Sequence, residues 1–438
     1  MLPAASRSRA AQAVIGTSAS QAAIVFLVFA TSVAQARLLG PFGRGELALF
    51  LNAGGLFVLL FGFGIGSAIT YFVASDAAQP QTLLRSLVRA FTATVVATLA
   101  CTGVVVATPV RQLLPHTISE AWLVVALTLY FAATQATAWQ SGILAARVVF
   151  APINWSAVLV AATAAAVSAG LLLAAPSWAD ASVIIGMMIV LEFVRAASLA
   201  AYLIPRRWLN RPGMSAEVRH PGENVLASVW RYSGLAFVGD TLQFLTYRID
   251  LWVVAAFHGT VTVGVYALAV SLAQLVWIVP GAIARVLFPY AAMPETADRL
   301  GLAVRAARFA FLASAACALA GWIGSELFLT VLFGDDFSAA PTLIGILMLG
   351  IVPFSVVKVL GNYLAGVNAI ALNVMSAGAT LAITIALDFL LIPRFGAGGA
   401  AWATAASYVI QSALVVGFFL RRSGLPLRSL IRLRTTVS

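Results

Sequence analysis

The residues with chemistry to offer are a few ionisable groups that fall inside, or at the ends of, long apolar runs. Arg37, Arg195, Arg248 and Lys358 are the cations, and Glu192, Asp240, Asp250 and Asp388 are the acids. A charge at the centre of a membrane helix costs roughly 2.5–3.5 kcal/mol even on the most lenient scale, so each must face protein, water or a ligand. The cations can donate to a phosphate or carboxylate, arginine as a planar fork and lysine as a point charge. The acids can hold a coupling proton or sodium ion, or balance the arginines.

Neutral polar residues recur around these charges at helical spacing. Asp240, Gln243, Tyr247 and Asp250 follow i, i+3, i+7, i+10 and share one helix face. Asn373, Ser376, Thr380, Thr384 and Asp388 form a second stripe, Tyr130, Thr134, Thr137 and Ser141 a third, and Ser355, Lys358 and Asn362 a shorter one. Such stripes fit the wall of a wet cavity, with Gln243, Tyr247, Thr137, Asn362, Thr380 and Thr384 as its neutral groups. Hydrogen bonding between neighbouring membrane helices is the plain structural reading of the same hydroxyls.

The cations differ in what competes for them. Arg195 lies three residues from Glu192, near enough to form an ion pair along one helix. Lys358 can reach toward headgroups, and Arg37, at the end of its run, can serve as an interfacial anchor or helix cap. Arg248 is two residues from Asp250, a spacing at which helical side chains do not face each other, so it is the best candidate for a ligand.

The elements that must position these groups are membrane helices. Hydrophobic residues make up 62% of the 438 and charged residues 9%, and mean hydropathy is +0.99, outside the range of soluble domains. Apolar runs of membrane-spanning length fall near 10–36, 47–74, 86–108, 120–146, 150–175 and 181–204, then 228–257, 261–288, 303–330, 341–366, 369–392 and 396–420. The fold class is therefore an all-α polytopic membrane protein of about twelve transmembrane helices, the first of them too long for a signal-peptide core. Gly62, Gly64, Gly66, Pro280 and Pro353 interrupt individual runs as hinges or as static kinks.

Arginine concentrates at alternate breaks: Arg85 and Arg89, Arg147, Arg206 and Arg207, Arg299 to Arg308, and Arg421 onward. By the positive-inside rule those breaks and both termini are cytoplasmic. The longest polar segment, Pro205 to Leu226, reads as a linker, which divides the chain into an N-lobe (1–204), a linker (205–227) and a C-lobe (228–438) of six helices each around a central cavity. The net charge of +11 implies contact with anionic lipids and no nucleic acid. Cys101 and Cys317 lie within apolar runs, and His116, His220 and His258 show no metal-ligand spacing, so no metal is expected. Asp335–Asp336 falls at an outer break and reads as a solvated loop.

Four blocks then carry a resemblance: Ala36-Arg37-Leu38-Leu39-Gly40-Pro41-Phe42-Gly43-Arg44-Gly45; Tyr247-Arg248-Ile249-Asp250 followed by Gly264-Val265-Tyr266-Ala267 and Leu287-Phe288-Pro289; Val331 to Phe337; and Leu391-Ile392-Pro393 through Gly399-Ala400-Ala401 to Thr404. In order and spacing they resemble the polysaccharide-transport, or oligosaccharide flippase, family of the multidrug/oligosaccharidyl-lipid/polysaccharide exporter (MOP, MATE-like) superfamily, over nearly the whole chain. The resemblance implies a two-lobed exporter, not an enzyme, that moves an undecaprenyl-diphosphate-linked glycan across a bacterial inner membrane by alternating access. It implies no cofactor beyond a coupling proton or sodium ion, and partners in polysaccharide polymerisation and export. Multidrug or metabolite export is the nearest competing function. A membrane-embedded glycan polymerase or ligase is disfavoured, since no outer break is long enough to house its active site.

Overall fold

The computed structural model describes residues 4–62, 80–147, 149–174, 176–204, 223–292 and 298–431. The end of the second run, with Gly64 and Gly66, the linker as far as residue 222, and the last basic residues of the tail lie outside them. The described residues form helices α1 (Ala4–Gly62), α2 (Pro80–Val106), α3 (Glu120–Ala146), α4 (Ala151–Ala174), α5 (Ala181–Leu203), α6 (Glu223–Ala273), α7 (Ile278–Ala292), α8 (Arg299–Phe333), α9 (Ala340–Gly366), α10 (Ile370–Ser423) and the short α11 (Arg428–Ile431). No strand occurs among the described residues.

Nine helical stretches among the described residues are long and apolar enough to cross a membrane. Three of them, Ser20–Gly62, Phe237–Ala284 and Ile370–Ser423, run to 43, 48 and 54 residues. At 1.5 Å per residue these reach about 65–80 Å, more than twice the hydrocarbon thickness of about 30 Å. Each contains a glycine with non-helical backbone: Gly40 (φ 61°), Gly259 (φ 73°, ψ 178°) and Gly396 (φ 56°, ψ −133°). The Gly259 and Gly396 conformations are open essentially only to a residue without Cβ, so the sequence stops the helix there while the chain continues into the next.

The chain divides into two compact units, Met1–Val229 and Trp230–Ser438. In the first, α3 packs against α2 and α5, and α1 against α4. Its core joins Phe50 and Phe57 of α1, Leu123, Leu127 and Phe131 of α3, and Ile184 and Ile185 of α5. Just past the Gly40 break, Glu46 is fully buried and accepts hydrogen bonds from His116 N (2.9 Å), Thr117 N (3.0 Å) and Thr117 Oγ1 (2.7 Å). Arg111 holds the same connection from its other side by donating to the carbonyls of Pro115 and Ile118. Ser119 then accepts from Trp122 N and caps α3.

In the second unit α9 is the central helix, packed against α7, α8 and α10. Gly350 permits a close approach of α9 to α10, since a Cβ there would lie 2.6 Å from Cα and 2.7 Å from the carbonyl oxygen of Ala405. Small residues at such crossings are how lipid-embedded helices gain packing contact. His258 adjoins the Gly259 break and donates through Nε2 to the carbonyl of Ile392 (2.7 Å), four residues before the Gly396 break. That bond ties the two interrupted helices, α6 and α10, at their breaks. Asp335 and Asp336 lie exposed in a short 3-10 turn, and Asp298 caps α8 and pairs with Arg305 at 2.9 Å.

Candidate functional site

Within the second unit, α6, α7, α9 and α10 line an open cavity of about 460 Å³. Asp240, Gln243 and Tyr247 line it from α6, Phe354, Lys358 and Asn362 from α9, and Asn373, Ser376 and Gln411 from α10. The spacing of these residues explains why they meet: residues three, four and seven apart on a helix share a face.

Lys358 is held by aromatic rings. Its ammonium lies 4.3 Å from the ring centroid of Trp277, 5.3 Å from that of Tyr247 and 5.7 Å from that of Phe354, and it donates to the Tyr247 hydroxyl over 3.4 Å. Phe354, Trp277, Tyr247 and Tyr408 pack on one another with centroids 4.7–5.8 Å apart. Attraction of a cation to ring faces is worth about 2 kcal/mol or more once water is excluded, which offsets part of the cost of burying the lysine here. Trp277 sits in the 3-10 turn Gln274–Trp277 between α6 and α7, and its indole N–H donates to the carbonyl of Ile351 (3.2 Å).

The amides around Lys358 are partly engaged. Gln411 Nε2 donates to Gln243 Oε1 (2.7 Å), Asn373 Nδ2 to the Gly361 carbonyl (2.8 Å) and Asn362 Nδ2 to the Lys358 carbonyl (2.8 Å). Gln243 Nε2, Gln411 Oε1 and Asn373 Oδ1 remain buried without a hydrogen-bond partner. A membrane interior seldom leaves such groups unsatisfied, because each costs about 1–3 kcal/mol.

Away from that cavity, Asp250 is 1% exposed and sits in a closed knot. Its carboxylate accepts from Tyr266 Oη (2.5 Å), Thr404 Oγ1 (3.0 Å) and the backbone N–H of Leu251 (2.8 Å). Asp388, fully buried, is near enough for its charge to act on Asp250, yet neither of its carboxyl oxygens has a hydrogen-bond partner. Among the described residues no group of three or more His, Cys, Asp or Glu side chains has metal-binding geometry.

The structure brings Asp240, Gln243, Tyr247, Lys358 and Asn362 together and separates them from Asp250, which shares their stripe in sequence but not their cavity. Thr380 and Thr384 are buried and donate to the carbonyls of Ser376 and Thr380 on their own helix. Arg248 is half-buried on α6, and its charge reaches Tyr247, Asp250 and Tyr408. In the first unit, Arg195 pairs with Glu192 at 3.8 Å, Arg37 is exposed on α1, and Thr137 is buried in α3. Sequence reasoning placed Asn373 only within a cavity stripe and missed Gln411 as a cavity amide, Tyr266 and Thr404 as partners of Asp250, and Glu46 altogether. The stripe that carried Asn373 and the motif blocks that carried Tyr266 and Thr404 were the available signals.

Comparison with known proteins places this architecture. Probable flippase AglR of Haloferax volcanii is 29% identical over 188 residues, which span 40% of this chain and 39% of that protein. The chain thus matches well under half the length of this relative. The lipid II flippase MurJ in an inward closed conformation superposes with a TM-score of 0.68 at 13% identity, covering 96% of this chain and 89% of MurJ. A multidrug resistance MATE family transporter of the MOP superfamily in an inward-facing conformation gives 0.67 at 14% identity, covering 94% and 96%. The fold is accordingly the all-α, MATE-like membrane fold of these transporters. Residues 10–294, more than half of the chain, match the family described as polysaccharide biosynthesis protein. The motif order, the broken membrane helices and that match converge: the chain belongs to the polysaccharide biosynthesis protein family.

Proposed function

We propose that the protein is a flippase, a transporter rather than an enzyme, which carries a polyprenyl-diphosphate-linked oligosaccharide from the cytoplasmic to the outer leaflet by alternating access. The observation that carries the reading is a polar, amide-lined cavity inside a lipid-embedded helical unit, in a chain of a polysaccharide biosynthesis family. Sugars and a diphosphate cannot cross hydrocarbon unaided, so a carrier must replace their hydration with polar side chains. The naming of one relative as a probable flippase and of a structural neighbour as a lipid II flippase supports the same reading. In it, each glycine-broken helix crosses the membrane twice, which brings the crossings to about twelve, and both termini face the cytoplasm of a bacterial inner membrane. The carrier lipid is undecaprenyl diphosphate, the basic faces meet anionic lipids, and polymerisation and export machinery takes up the product.

Arg248 is assigned to the diphosphate, for which its planar fork is suited. Asp388 and Asp250 are assigned to a coupling proton or sodium ion. The fit rests on the two unpartnered, buried oxygens of Asp388 beside a second carboxylate, a donor set that a small cation or a shared proton satisfies. Translocation of a fluorescent lipid-linked glycan in proteoliposomes, with and without ion gradients, tests the whole reading. Arg248→Ala is expected to abolish transport at normal abundance, and Arg248→Lys to retain part of it. Normal transport by a well-folded Arg248→Ala protein overturns the assignment of Arg248, and no transport by wild type overturns the flippase reading.

A further inference from the structure

At one end of the second unit, two arginines from different helices act on one tyrosine. Arg299 is the first residue of the membrane-length stretch Arg299–Phe333, and Tyr363 and Arg422 lie in the last turns of Asp335–Gly366 and Ile370–Ser423. Arg299 and Tyr363 are half-buried, Arg422 is exposed, and the charges of both arginines reach Tyr363. The Tyr363 ring packs edge-on against the buried ring of Phe419, three residues before Arg422, with centroids 5.6 Å apart. That contact holds the ring, while its hydroxyl has no hydrogen-bond partner among the described residues.

Neighbouring arginines are already held by the protein. Arg305 pairs with Asp298 at 2.9 Å, and Arg308 donates to the carbonyl of Ser429. Asp298, the residue before Arg299, is committed to Arg305 and to the backbone N–H of Gly301. Arg299 donates to the carbonyl of Ala291 over 3.3 Å, and among the described residues neither it nor Arg422 forms an ion pair. Two like charges acting on one phenol are stabilised by an anion between them, and each guanidinium offers N–H donors in a planar fork that matches phosphate.

The depth of the three residues selects the anion. Ends of membrane helices lie at headgroup level, where tyrosine sets its ring in apolar surroundings and its hydroxyl in the polar layer. Basic pockets between helix ends are where headgroup phosphates of anionic lipids bind. We infer that Arg299, Arg422 and Tyr363 form a site for the phosphate of an anionic phospholipid. Both guanidinium groups donate to its oxygens, and the Tyr363 hydroxyl is a further donor. None of the three residues lines the Lys358 cavity, so the site stands whatever that cavity carries.

The test titrates full-length protein in neutral detergent with phosphatidylglycerol or phosphatidylcholine and counts bound lipid by native mass spectrometry. Wild type should bind its first phosphatidylglycerol about tenfold more tightly than phosphatidylcholine, the preference that two arginines near a headgroup supply. Charge-matched double variants separate a site from a basic surface in general. Arg299→Gln with Arg422→Gln should weaken phosphatidylglycerol about tenfold and erase the preference. Arg421→Gln with Arg428→Gln removes two exposed arginines that do not act on Tyr363 and should cost less than about twofold, because screening limits the reach of exposed charges. Equal losses in the two doubles overturn the site, as does a wild type without the preference. Tyr363→Phe, which keeps the ring on Phe419, should cost about threefold, and unchanged affinity there overturns the part given to the hydroxyl. Undecaprenyl diphosphate that displaces phosphatidylglycerol when far scarcer would assign the site to that lipid and overturn the phospholipid. A measurement on wild type alone covers variants that fail to fold. In nanodiscs, phosphatidylglycerol with a diazirine on its headgroup should label peptides containing Arg299, Tyr363 or Arg422 above other basic helix ends. Labelling spread evenly over those ends, Arg89 and Arg147 among them, overturns the site.

Discussion

Glu46 and Asp388 are both carboxylates with no exposed surface, each on a helix interrupted by glycine, and their surroundings are opposite. Glu46 accepts three hydrogen bonds from the connection before α3, whereas Asp388 accepts none. Equal burial therefore carries different meanings in the two units. A saturated buried carboxylate is a clamp, because its acceptor sites are already filled by the fold. A buried carboxylate with open acceptor sites beside another acid is a place where a proton or cation completes the structure. Asp250 lies between these cases, with three donors around it and Asp388 within electrostatic reach.

Three substitutions sharpen or break this contrast, and the unfolding midpoint of purified protein in detergent reads all of them on one scale. Glu46→Ala should cost most, about 3–5 kcal/mol, because it leaves two backbone N–H groups and a hydroxyl without their charged acceptor. A midpoint close to wild type would show that water replaces the carboxylate and that Glu46 is no clamp. Asp250→Asn should cost about 2 kcal/mol, since the amide presents a donor where three donors converge. Its transport should also lose dependence on the gradient, as the assignment of Asp250 beside Asp388 requires; a fully stable variant would show that the three donors do not hold Asp250, and unchanged gradient dependence would leave coupling to Asp388 alone. Asp388→Asn should cost least, with a midpoint at or above that of wild type in the absence of the coupling ion, while transport loses its dependence on the gradient. A large loss of stability there would mean that Asp388 has structural partners and would remove the contrast.

The breaks themselves were legible in the sequence. The gaps between apolar runs at 36–47 and 257–261 contain Gly40 and Gly259, and Gly396 is the first residue of the run 396–420; these are the glycines at which the backbone leaves helical geometry. Run length and polarity suffice there, since a continuous helix of over forty residues outruns the bilayer and only glycine tolerates the conformation that stops it. The stripe on α6 was legible only in part. At 100° and 1.5 Å per residue, Asp250 is displaced about 80° around the helix and about 15 Å along it from Asp240, too far to share a cavity. Thr380 and Thr384 show the other limit, because a hydroxyl that looks like a cavity donor satisfies itself on the carbonyl one turn back.

By itself the sequence determined that the chain is a stack of membrane helices, where they stop, which residues carry charge inside them, and the family its motif blocks resemble. Those properties follow from transfer free energy and backbone sterics, which act locally along the chain. Only the tertiary structure decided which polar groups are already paired and which are still open. Pairing joins residues far apart in sequence, Asp250 with Thr404, Gln243 with Gln411 and Glu46 with Thr117, through helix rotations and crossings that no local pattern encodes. Gly350 lets α9 press against α10, and the four amides of the cavity come from three helices, α6, α9 and α10, an arrangement that is a property of the packed unit alone.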